Sequence, residues 1–158
     1  MPDNLKFPSA TVIVPAPPYR VECLTETMLE QGLPAEWDAL LGLQSEPTPF
    51  MQAAYLHALY ASGSACRATG WEANFILLWQ GSLLMAAAPI YIKHHSRGEY
   101  VFDHAWANAY AQHGLDYYPK LLCAVPFTPV QGTRLLAVDE AARAALLSEI
   151  ISLAHTLK

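Results

Sequence analysis

The chain has 158 residues, enough for one domain with a real hydrophobic core. Apolar residues make up 53% of it and charged residues only 15%, against roughly 25% in an average soluble protein, so part of its surface is expected to be covered by another domain or chain. The net charge is −5, and nine Lys and Arg are scattered singly from Lys6 to Lys158; this excludes the basic stripe that duplex nucleic acid requires.

Residues 1–18 are Pro-rich and read as a loose extended arm, with no uninterrupted apolar core of a signal peptide. Residues 19–158 form the folded domain. Residues 19–24 (YRVECL) alternate as a strand, and a loop containing Gly32 follows. Pro34 opens a short helix with Trp37, Leu40 and Leu41 on one face. A second helix is predicted from Thr48-Pro49 to about Ala61, with Met51, Tyr55 and Leu59 four apart and Gly63 as its stop.

The run over residues 75–92 is almost wholly apolar, but Gln80-Gly81-Ser82 and Pro89 interrupt it, so a membrane span is rejected. Two strands, 73–79 and 83–93, joined by the Q-G-S turn fit it better. A shorter strand is predicted over 99–102, then a helix from the Asp103 cap through His113, with Trp106, Tyr110 and His113 on one face and Gly114 at its end. A strand over 117–125 stops at P-F-T-P. The loop 130–138 leads to a last helix, 139–157, whose stripe is Leu146, Ile150, Leu153, Ala154 and Leu157. That helix follows a strand with no return strand after it. It is therefore expected to lie against sheet that this chain does not supply, from a second half or another chain, such as a second copy.

Cys23, Cys66 and Cys123 are odd in number, make no C-x-x-C pair and sit among apolar neighbours. They read as free, buried thiols in a reducing cytosol, which makes the protein cytoplasmic. His94 and His95, adjacent on a strand, point to opposite faces and cannot share one ion without a bulge; with no zinc-type spacing elsewhere, no metal site is expected.

The segments PIYIKHHSRGEYVFDHAWANAY (89–110) and GLDYYPKLLCAVPFTPVQGTRLL (114–136) resemble a bacterial family of predicted N-acyltransferases. That family is described as FemAB-like, or as peptidoglycan biosynthesis/recognition proteins. TPFMQAAYLHALYASGSACRATGW (48–71) resembles the same family's front end. The resemblance implies an α/β, GNAT-like fold, a mostly antiparallel central sheet flanked by helices, present here only as an amino-terminal half. It also implies transfer of an acyl or aminoacyl group onto the amine of a small molecule or peptide. The donor would be acyl-CoA or aminoacyl-tRNA as co-substrate, with no tightly bound cofactor. A non-catalytic module that recognises a peptide or cell-wall precursor is the alternative.

Amine acyltransfer needs a proton acceptor, a donor to the developing oxyanion and a seat for the activated carrier. The candidate bases are Glu99, Asp103 and His104. On an extended strand Glu99 and Asp103 share a face roughly 13 Å apart, so at most one acts. Asp103 is equally a helix cap, Glu99 a solvated edge carboxylate and His104 a surface histidine. Of the pair Tyr117 and Tyr118, Tyr118 is the candidate proton donor to the leaving group, or else both pack a core. Gln131, Gly132, Thr133 and Arg134 loosely echo a GNAT pyrophosphate loop, with Lys120 adding positive charge, or they form a plain turn.

Overall fold

The apolar run over residues 75–92 folds back on itself at Gln80-Gly81-Ser82, where Gly81 takes φ +61°, a conformation that costs glycine little. The result, in a computed structural model that describes residues 19–157, is the predicted hairpin. Strand β2 (Glu72–Gln80) pairs antiparallel with β3 (Leu83–Ala88) and with β4 (Ile90–Lys93). Pro89 has no N–H for the ladder and separates β3 from β4, yet the register runs through from Ile76↔Ala88 to Ala73↔Tyr91. The single strand expected over 83–93 is two strands in one line. The arm expected over 1–18 lies outside the described residues.

Strand β1 (Arg20–Thr25) borders the other edge of β2, with Arg20 opposite Trp79. Strand β5 (Lys120–Cys123) pairs with β4, and β6 (Leu136–Ala137) pairs with β3. The six-stranded order is β5-β4-β2-β3-β6, with β1 beside β2, and every pairing among the described residues is antiparallel. Strand β6 falls where the sequence suggests only loop. Its backbone is held on the outer side by the buried Gln44, whose amide donates to Ala137 O at 3.1 Å and accepts from Ala137 N at 3.4 Å. A side-chain amide here takes the place of a further strand.

Both faces of β2 are buried, which is why its sequence F-I-L-L-W shows no clean alternation. Phe75 and Leu77 face α1 (Glu26–Leu29), α2 (Glu36–Gly42) and α3 (Ala53–Ala61), together with Trp37, Leu40, Met51, Leu56, Trp71 and Tyr91. Ile76 and Leu78 face α5 (Glu140–Thr156), with Ala86, Ala88, Ile90, Ala142 and Leu146. Each such Leu or Ile withdrawn from water contributes about 1.5–3 kcal/mol before chain entropy is counted.

The structure departs from the sequence reading elsewhere as well. The helix expected from Thr48 is a 3-10 turn, Pro49–Met51, then α3, because Gln52 is extended at ψ 143° and breaks the run. No strand forms over 99–102. Glu99 N–H instead donates to Ser96 O at 3.2 Å, closing a turn in which Gly98 takes φ +83°. The last helix, α5, does not wait for absent sheet. Ala142 and Leu146 are fully buried against β2, β3 and β6 of this chain, with Ile150 and Leu153 packed partly beside them. Nor are the cysteines fully buried: Cys23 is exposed on the edge strand β1, and Cys66 and Cys123 are half-buried. The architecture is thus a mixed α+β fold whose antiparallel sheet carries helices on both faces. Among the described residues no helix is long and apolar enough to cross a membrane.

Candidate functional site

Strand alternation places Lys93 on the same face as Tyr91, and the β4–β5 register sets Lys93 directly opposite Lys120. Like charges facing each other across a ladder are destabilising unless something intervenes. Glu99 intervenes. Its Oε2 accepts from Lys120 Nζ at 2.6 Å, and its Oε1 lies 3.9 Å from Lys93 Nζ. Asp103 completes the set by pairing with the same Lys120 ammonium and accepting from the Tyr117 hydroxyl at 3.0 Å.

Lys93 is 0% exposed. Its ammonium donates to Arg97 O at 2.8 Å and stands 3.6 Å above the Trp71 ring centroid, a cation–π contact that partly replaces lost hydration. Burial nevertheless pulls its pKa down to about 8, helped by Lys120 and opposed by Glu99. Lys120 moves the other way: burial alone would lower its pKa, but hydrogen bonds to Asp103 and Glu99 hold it above the ordinary lysine value. The Lys120 hydrogen bond, followed by that of Tyr117, holds the Asp103 carboxyl below the usual aspartate value. Desolvation, and then donation to Asp103, raise the Tyr117 hydroxyl.

Glu99, Asp103, Tyr117 and Lys120 line an open cleft of about 530 Å³, with Lys93 buried behind them. One wall is the turn 98–103, and the other is the excursion of residues 124–129 between β5 and β6, with Phe127 and Thr128. Trp71 lines it as well, packed edge-on to Tyr91 at 5.2 Å and tilted against Phe127 at 5.5 Å. The cleft therefore joins a fixed ammonium and two carboxylates to aromatic walls. Such a combination can hold a polar group with an apolar stem.

Of the residues singled out from sequence, Glu99, Asp103 and Lys120 converge here. The 13 Å separation expected of the two carboxylates is wrong, because the turn at 96–99 brings both onto one ammonium. Asp103 stands at the cap position of α4 (His104–Gln112), yet its side chain makes no cap hydrogen bond; its Oδ2 accepts from both Lys120 and Tyr117. His104 is exposed, stacked on Phe102 at 5.4 Å and 13°. Tyr118 touches the cluster only through Tyr117, ring edge to face at 5.0 Å.

Gln131, Gly132, Thr133 and Arg134 make a separate loop. Thr133 N–H donates to Glu46 O at 3.1 Å, and the Arg134 guanidinium folds back onto Gly132 O at 3.1 Å and Val130 O at 2.6 Å. Strand β6 lies between this loop and α5, and the N-terminus of α5 is occupied by Asp139, which accepts from Ala142 N–H at 2.7 Å. Lys120 does not join that loop; its partners are Glu99 and Asp103. His94 is near Glu72 at 3.9 Å, and His95 accepts from Arg97 N–H at 3.2 Å. No group of three or more potential metal ligands occurs among the described residues.

Sequence reasoning missed Lys93, Trp71, Phe127 and the role of Tyr117. Lys93 carried a usable signal, since a lysine in the run I-Y-I-K falls on the inward face with Tyr91. Phe127 carried none, for its position depends on how 124–129 leaves the sheet.

An antiparallel α+β domain with a charge-compensated cleft at one end of its sheet is the class these features define. Residues 29–158 match the FemAB-like family, described as peptidoglycan biosynthesis/recognition, and the chain belongs to that family. Membership ties it to peptidoglycan. No curated protein and no solved structure matches the chain.

Proposed function

We propose that this protein transfers an acyl or aminoacyl group to an amine of a peptidoglycan precursor, and that the cleft over Lys120 receives the acceptor. On this reading the fold is a GNAT-like variant, and the donor is an aminoacyl-tRNA or an acyl-CoA, used as co-substrate. The amine nitrogen attacks the donor carbonyl carbon, forming the new C–N bond as the C–O or C–S bond to the carrier breaks. The amine proton goes to the carboxylate pair and from there to the leaving oxygen or sulfur. Lys120 donates to the oxyanion that develops on the carbonyl.

The observation that supports this is the Lys120 ammonium held between Glu99 and Asp103 on the floor of a cleft with aromatic walls. A cation so fixed needs no reorganisation when negative charge develops beside it. The second reading, a recognition module without turnover, draws on the same pairing: the Lys120 and Tyr117 hydrogen bonds hold Asp103 ionised, which makes it a weak base at neutral pH.

Glu99→Gln with Asp103→Asn separates the two. The full chain would be incubated with a soluble nucleotide-linked muramyl-pentapeptide and each donor class, and product read by mass. Transfer at saturating precursor that falls by about 10²-fold or more in the double variant supports the enzyme. Precursor binding without product from any donor, in wild type as in the variant, gives the site to the recognition module.

A further inference from the structure

Two polar atoms buried at the cleft have no hydrogen-bond partner among the described residues: the indole N–H of Trp71 and Oε1 of Glu99, whose Oε2 is engaged by Lys120. Both residues flank the Lys93 ammonium, and the indole N–H abuts the residue beside Glu99. Lys93 Nζ is 3.6 Å from the Trp71 ring centroid and 3.9 Å from Glu99 Oε1. A Cβ on Gly98, the residue next to Glu99, would fall 2.8 Å from Trp71 Nε1. Folded proteins rarely leave a buried donor and a buried acceptor unpaired unless something else completes them.

Phe127 covers this spot. Its ring is 5.5 Å from that of Trp71, and its Cε1 would stand 2.7 Å from the same Gly98 Cβ. The residue is 50% exposed and takes φ +58°, a left-handed backbone that a phenylalanine adopts only under constraint. A half-exposed ring on a strained backbone is a cover that a ligand can displace.

We infer that the cleft takes the amide group of its ligand beneath Phe127, with Trp71 N–H donating to the amide oxygen and Glu99 Oε1 accepting from the amide N–H. The ligand class is thus a primary or secondary amide, as in a peptide. An ester supplies no N–H for Glu99, a carboxylate is repelled by it, and an ammonium leaves the indole unpaired. This rests on the reading of the cleft as the ligand site, and it does not depend on the transfer step.

The test uses the ¹⁵N-labelled full chain, with indole signals assigned by single Trp→Phe variants. It is titrated with N-methylacetamide and, at matched concentration, with its isostere methyl acetate. Trp37, whose N–H already donates to Met51 O at 2.7 Å, is the internal reference. The expected result is a Trp71 indole shift several times that of Trp37 with the amide and far smaller with the ester, whose carbonyl can accept from the indole but which gives Glu99 no N–H. Phe127→Gly, which removes the cover and relieves the backbone, should strengthen the amide-induced shift. A Trp71 signal that moves no more than that of Trp37, or moves equally with the ester, overturns the inference. Loss of transfer activity leaves it standing, because the readout is binding alone.

Discussion

The two ends of the sheet are built from one continuous ladder and yet are finished differently. Where β2 meets β3, Leu77, Leu78, Ala86 and Ala87 are all 0% exposed, with α1–α3 on one face and α5 on the other. Where β4 meets β5, the inward positions are Lys93 and Lys120, and the cover is turn and loop instead of helix. Helix α4 beside that end buries none of its residues, and Trp106 on it is 66% exposed. The first end supplies stability through apolar area. The second gives some of that up to hold two cations and two anions in low-dielectric surroundings, an expense that a purely structural sheet end has no reason to carry.

The comparison breaks most easily at Trp37 and Trp106, two tryptophans from opposite ends. Trp37 is 0% exposed, with its ring 5.9 Å from that of Phe75. Trp37→Ala should cost about 3–5 kcal/mol by denaturant unfolding, and Trp106→Ala less than about 0.5 kcal/mol. Similar costs for the two would mean that α4 is packed in solution as firmly as the core, and the contrast between the ends would dissolve.

A smaller effect tests the charged end directly. Lys93 has a pKa of about 8 in the fold against the ordinary 10.5, so between those values the folded chain binds fewer protons than the unfolded one. Stability from this group therefore rises with pH across that window, by ~3 kcal/mol at most. Burial raises Cys123 to about 11, which acts in the opposite sense. The informative quantity is thus the difference between wild type and Lys93→Met, measured as unfolding midpoints at pH 7.5 and pH 10. Wild type should gain on the variant as pH rises. A constant difference would show that Lys93 is solvated in the fold, and the two ends would then differ less than the burial of this side chain implies.

What could be read from the sequence divides along the same line. The hairpin, the helix after Pro34 and α5 rest on local signals: a glycine turn, apolar spacing and an Asp cap each act within a few residues. The cleft rests on contacts between positions far apart, such as Lys120 with Glu99, so spacing along the chain gave the wrong separation for the two carboxylates. The strand expected over 99–102 failed for a local reason that outweighed its alternation: the turn around Gly98 sends the chain out of the sheet and over the cleft. His104, a candidate base from the sequence, stands in the first turn of α4, exposed and stacked on Phe102.

The smallest effect concerns α5, which the sequence placed well and which follows the loop that loosely echoes a GNAT pyrophosphate loop. Asp139 caps that terminus through Ala142 N–H, so the partial positive charge at the helix start already faces a carboxylate. A second anion there would meet repulsion as well as a lost backbone donor. Asp139→Ala should cost ~1 kcal/mol, a fall in Tm of about 2–4 °C, because one N-terminal N–H loses its partner and water replaces it only in part. Coenzyme A binding, followed by calorimetry on the same variant, should be no tighter than in wild type. If binding strengthens when the carboxylate is removed, then the helix start does receive phosphate and Asp139 has been competing with it. The donor seat would then lie on the α5 face, across the sheet from the Lys120 cleft, and both faces of this domain would have to take part in one reaction.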